Sequence, residues 1–177
     1  MRPTLFLMVL PVAAWAQPAP DTVSPVLASV QSGVVCPPPT VGSAPAPDTV
    51  AGTTHLIEEE PPFVSLSNRV PAVLGIGFGV KALSEAAMGI DTVTMTVTHP
   101  PMGDGGAVRQ SFETRISGID PSLTFYQFDY DYELVQGIWQ MEARKGGTIL
   151  YRTTFEVVPP QMVPELAAIC GFENLLS

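Results

Sequence analysis

Three carboxylates stand at alternate positions in Asp129-Tyr130-Asp131-Tyr132-Glu133, and few groups in the chain have more chemistry to offer. On an extended strand Asp129, Asp131 and Glu133 would share one face. Oxygens in a row can ligate calcium outside the cytoplasm, or divide acid and base roles with Glu113 or Arg115 nearby. Their geometry counts against both uses. Side chains two apart on a strand stand about 7 Å apart and run parallel rather than converging. The run also lacks the glycine-turned loop that wraps a calcium ion. A solvated charged face that guards a strand edge explains the row more simply.

The remaining candidates are sparse. His55 and His99 are the two histidines, and a zinc site would need more nitrogen or sulfur ligands. No Gly-x-Ser-x-Gly elbow presents a serine nucleophile. Gly75, Gly77 and Gly79 do not have the spacing of a phosphate loop. At period two they instead form one bare strand face, with Ile76, Phe78 and Val80 on the other. A ring such as that of Trp139 or Tyr126 would cover the bare face. No catalytic residue and no cofactor are expected.

Cys36 and Cys170 are the only cysteines, and neither belongs to a Cys-x-x-Cys redox motif. Arg2, the apolar run from Leu5 to Leu10 and Ala14-Trp15-Ala16 read as a secretory signal over residues 1–16. Export to a periplasmic or secreted location favours joining the two cysteines as a structural bridge. After cleavage no segment is long and apolar enough to span a bilayer.

The whole chain has 177 residues with 17 Asp+Glu against 8 Lys+Arg, a net charge of −9. No basic cluster exists to displace phosphate counterions, so nucleic acid is not an expected partner. Hydrophobic residues make up 46%, enough for one domain with a real core.

The elements that must position these groups are strands. Residues 17–53 are rich in Pro, Ala, Ser and Thr, with three prolines at 37–39, and read as an extended tail or linker. Residues 54–160 turn to period two. Asp91 to His99 alternates Val93, Met95 and Val97 with threonines, and Thr124 to Leu134 alternates aromatics with polar groups. Gly137 to Ala143, a turn at Arg144-Lys145-Gly146-Gly147, and Thr148 to Val158 read as a hairpin. Pro159-Pro160 ends the last strand. Residues 161–177 form a C-terminal tail with a short helix from Val163 to about Ile169, capped by Gly171. Short strands separated by frequent turns mean an all-β antiparallel sandwich.

Three blocks carry a family resemblance: Gly-Ile-Gly-Phe-Gly-Val-Lys (75–81), Ser-Phe-Glu-Thr-Arg-Ile-Ser-Gly (111–118) and the stretch from Leu123 to Glu142. With the ending Cys-Gly-Phe-Glu-Asn-Leu-Leu-Ser (170–177), they resemble the exported proteobacterial domain-of-unknown-function family 3859. The resemblance covers roughly residues 50–177. It implies a secreted immunoglobulin-like sandwich with no assigned activity, and it brings no catalytic residues with it.

The reading is therefore a non-catalytic periplasmic or envelope interaction module with an unknown protein partner. The loop starting at His99, with Pro100, Pro101, Met102 and Asp104, joins two expected strands and is the candidate contact surface. The alternative is a ligand- or calcium-binding protein, or an enzyme, that uses the Asp129, Asp131 and Glu133 face.

Overall fold

The computed structural model describes residue 19 and residues 21–176; the expected signal segment lies outside them. Among the described residues there are eleven strands: β1 (Thr22–Val23), β2 (Leu27–Val35), β3 (Thr40–Pro45), β4 (Thr53–Ile57), β5 (Arg69–Pro71), β6 (Gly77–Ser84), β7 (Ile90–Met102), β8 (Ala107–Ile116), β9 (Ser122–Gln127), β10 (Gly137–Lys145) and β11 (Thr148–Val158). One sheet runs β1-β11-β10-β7-β8, with β5 added parallel to β11. A second runs β2-β6-β9, and β3 pairs with β4 as a separate hairpin. Apart from β5 every pairing is antiparallel.

Alternation explains the core. Val93, Met95 and Val97 of β7 are wholly buried, as are Trp139, Met141 and Ala143 of β10. Phe78 of β6 meets Phe155 at 4.8 Å and Trp139 edge-on at 5.7 Å, so one ring on the smaller sheet keys into the larger one. Behind Phe78 the glycines are obligatory. A Cβ at Gly79 would stand 2.5 Å from Phe125 Cβ, and one at Gly77 would stand 2.8 Å from Val35. The ring over that bare face is thus Phe125, while Trp139 packs on the opposite side.

The β10–β11 hairpin follows its sequence reading, turning at Gly146 with φ +57°. Helix α1 (Glu165–Cys170) ends at Gly171 in the left-handed conformation, φ +79°. The Cys36–Cys170 disulfide is present and joins the end of β2 to the end of α1.

Three expectations are corrected. Residues 17–53 are not simply a tail, because β2 pairs along β6 and buries Leu27, Val34 and Val35. The amphipathic piece from Val26 to Val35, which leads straight into Cys36, is the exception within the proline-rich stretch; Pro37, Pro38 and Pro39 begin only after the strand has ended. Second, His99, Pro100, Pro101 and Met102 belong to β7, which leaves 103–106 as the turn. The register steps from Thr98↔Arg109 to Met102↔Ala107, and the prolines fall inside this irregularity, where no ladder donor is demanded of them. Third, the strand expected over Thr124 to Leu134 stops at Gln127. Asp131–Glu133 is a single 3-10 turn, so the three carboxylates never form a row.

Candidate functional site

The sites of chemical interest gather where β8 and β9 form neighbouring edges of the two sheets. The β3–β4 hairpin lies over this gap. Its turn is fastened by Ser111 N donating to Asp48 O (3.1 Å) and by Val50 N donating to Gln110 Oε1 (2.7 Å). Further along, Glu60 Oε2 accepts from Leu123 N at 2.7 Å, and Glu60 pairs with Lys81 at 2.7 Å. One stretch of chain thereby covers both exposed edges.

A chain of buried side chains runs beneath the hairpin. Gln110 Nε2 donates to Tyr126 Oη at 3.1 Å, and that hydroxyl donates to Glu133 Oε1 at 2.6 Å. Glu133 Oε2 accepts from Asp129 N (2.6 Å) and Tyr130 N (3.0 Å). These two bonds turn the chain out of β9 and place Glu133 inside, only 3% exposed. Burial raises its pKa above the ordinary carboxylate value, while the three donors act in the opposite direction. Burial, then the neighbouring carboxylate, pushes the Tyr126 hydroxyl far up, so it stays a donor.

His99 closes the other end of this chain. Its ring lies 4.7 Å from that of Trp139, and burial lowers its pKa. Nδ1 lies 2.9 Å from Pro100 O and Nε2 lies 3.3 Å from Gln110 Nε2. Both distances are satisfied by a neutral ring with its proton on Nδ1, since an amide nitrogen and a carbonyl oxygen have fixed roles. His99 is therefore a core residue rather than the head of a loop. Met102 is buried as well, and Asp104 alone of the candidate loop side chains sits on the exposed turn.

At the surface His55 Nε2 meets Asp129 Oδ2 at 2.7 Å, tying β4 to the segment after β9. Asp129 Oδ1 accepts from Gln127 Nε2 at 2.8 Å, which leaves Gln127 Oε1 buried without a partner. The small cleft here, about 70 Å³, is lined by Thr53, His55, Phe112, Phe125, Gln127 and Asp129 among others. Asp131 points into a different region near Pro37 and Phe172. The structure thus joins Asp129 and Glu133 through the backbone, separates Asp131, and recruits His55. Among the described residues no three His, Cys, Asp or Glu side chains converge as a metal site.

Sequence reasoning missed Gln110, the bond from the Tyr126 hydroxyl to Glu133 and the hairpin. A signal existed for Gln110: it occupies an inward position of β8, in phase with buried Ile116. A polar side chain at such a position demands a buried partner.

Comparison with known proteins agrees with this architecture. No curated protein matches the chain. A crystal structure of an immunoglobulin-like protein from Pseudomonas aeruginosa superposes with a TM-score of 0.51 at 19% identity, covering 79% of this chain and 98% of that one. That likeness establishes an immunoglobulin-like sandwich fold. The family model described as Domain of unknown function (DUF3859) matches residues 23–157, spanning β2 and nearly all of both sheets. By that match, the chain belongs to the DUF3859 family.

Proposed function

We propose that this chain is an exported, non-catalytic interaction module that engages a protein partner through the β3–β4 hairpin and the cleft below it. One observation carries the reading: the groups best suited to proton transfer are already spent, Tyr126 and Glu133 on each other and on backbone donors, and His99 on Gln110 and the Pro100 carbonyl. A general base must be able to reach a substrate proton, whereas these atoms hold up the surface above them. That surface presents Val41 and Leu56, 61% and 48% exposed, on a hairpin that pairs with no other strand among the described residues. Binding modules commonly use such projecting segments on a rigid sandwich. The disulfide, together with the leader-like first sixteen residues, supports export to an oxidising compartment. No described helix is long and apolar enough to cross a membrane.

The test is capture of the tagged chain from periplasm after crosslinking in cells, alongside Val41→Asp and Leu56→Asp. The reading expects one partner in near-equal amount, lost in both variants. Recovery of the bare chain, or capture indifferent to both substitutions, would overturn it.

A second reading, a small ligand taken into the cleft, is favoured by the unpartnered Gln127 Oε1, which calls for a hydrogen-bond donor. A calcium-dependent form of that reading expects a melting temperature that falls with chelator; a curve unmoved by chelator removes it.

A further inference from the structure

We propose that the outer edge of β8, covered in this structure by the β3–β4 turn, is a homodimerisation edge on which β8 of a second copy pairs antiparallel about Ser111, and that this turn acts as its gate. The inference goes beyond the partner-binding reading and does not rest on it. The edge itself is long: β8 has ten residues, with β7 on one side and, among the described residues, no further strand on the other. Ser111 N points outward, since it donates to Asp48 O. By the alternation of an antiparallel strand, the backbone groups of Arg109 and Glu113 point the same way. All three belong to the regular part of the register, from Thr94↔Glu113 to Thr98↔Arg109.

Charge selects the register. With Ser111 opposite its symmetry mate, Arg109 faces Glu113 of the second copy, and the two-fold axis repeats that pair. Shifting the axis to Phe112 would set Arg109 against Arg115, and shifting it to Glu113 would set that carboxylate against itself. Opposite charges directly across a strand pair stabilise it, and like charges destabilise it. Arg109 and Glu113 are both exposed and lie on the outer face, in phase with Ser111. The preferred register offers about six backbone hydrogen bonds, two for each of three facing pairs.

The Asp48 carbonyl occupies the centre of that edge. A second strand about Ser111 must displace it, so the turn at residues 46–52 holds the edge closed. Val50 N on Gln110 Oε1 sets how firmly the gate is shut.

The experiment shortens the gate. Ala44 and Thr54 are paired residues and, by alternation from the Ala46 N to Gly52 O bond, a hydrogen-bonded pair, so residues 45–53 can be replaced by Asn-Gly, a two-residue turn that suits such a pair. Sedimentation should show the shortened chain dimerising at least about tenfold more tightly than the full one. On that background Arg109→Glu or Glu113→Arg should each weaken the dimer by about tenfold, and the double exchange should restore it. A shortened chain that folds yet stays monomeric, or a dimer indifferent to the charge exchanges, would overturn the proposal. Should the shortened chain not fold, Ser111→Cys in the full chain gives an independent readout. Facing residues at the axis are about 5.5 Å apart, within disulfide reach. Oxidation at high protein concentration should link Ser111→Cys chains faster than Arg115→Cys chains, and equal rates would overturn the register.

Discussion

The hydroxyl of Tyr126 donates to Glu133 Oε1 at 2.6 Å, joining the last inward residue of β9 to a carboxylate that has re-entered the core one turn later. This bond holds the chain where it leaves the second sheet. Glu133 can sit inside because hydroxyl and backbone donors meet both of its oxygens, and the Asp129–Leu134 segment wraps around them.

Removing either partner should be costly. Tyr126→Phe leaves one carboxylate oxygen short of a donor and should destabilise by about 1–3 kcal/mol in urea unfolding. Glu133→Ala strips the partner from three donors, and its loss should exceed that of Tyr126→Phe. An equal or smaller loss would show that the segment re-forms its bonds elsewhere.

Acidity should act on Glu133 and His99 in opposite directions. The folded pKa of Glu133 is raised, so its stabilising contribution is complete below about 4.5 and is lost as pH rises through the folded value. Wild type should therefore lose stability relative to Glu133→Gln as pH climbs from 4.5. The folded pKa of His99 is lowered, so its contribution is complete above 6.5 and is lost as pH falls. His99→Phe should flatten the loss of stability below pH 6.5. Parallel pH curves for wild type and His99→Phe would refute the buried neutral ring.

Gly79→Ala should fail for lack of room. The new Cβ would meet the backbone and Cβ of Phe125, neither of which is a flexible chain end. Destabilisation should reach about 3 kcal/mol, the upper end for overpacking, with loss of near-ultraviolet aromatic signal. A fully folded variant would mean that β6 and β9 can separate.

Reduction of the Cys36–Cys170 bridge should lower stability by up to about 4–5 kcal/mol, because it closes a loop of 134 residues' separation. The Cys36→Ser and Cys170→Ser double variant should match reduced wild type in thermal melting.

How much of this was legible beforehand depends on how local each signal is. Gly77 and Gly79 announce a bare strand face, because a missing Cβ every second residue has few other meanings; Gly75, which the same spacing assigned to that face, instead makes a left-handed turn at φ +84° before β6 begins. The β10–β11 hairpin is equally local, with its turn glycines between two alternating runs. His99 misleads because Pro100 and Pro101 signal a break, while a register irregularity opposite β8 absorbs them. Glu133 misleads because alternation with tyrosines continues beyond the strand that began it. Its true position depends on a hydroxyl seven residues back and on two backbone donors, which no periodicity encodes. His55 and Asp129 lie 74 residues apart and meet only once the hairpin has docked.

The bridge from Cys36 to Cys170 has one further consequence. It makes most of the domain a covalent ring, so a protease cutting once at the exposed 103–106 turn would open that ring without releasing a fragment. Both halves would stay joined, their strands still interleaved through β7 and β8. Such a nick would be silent by size until a reductant was added.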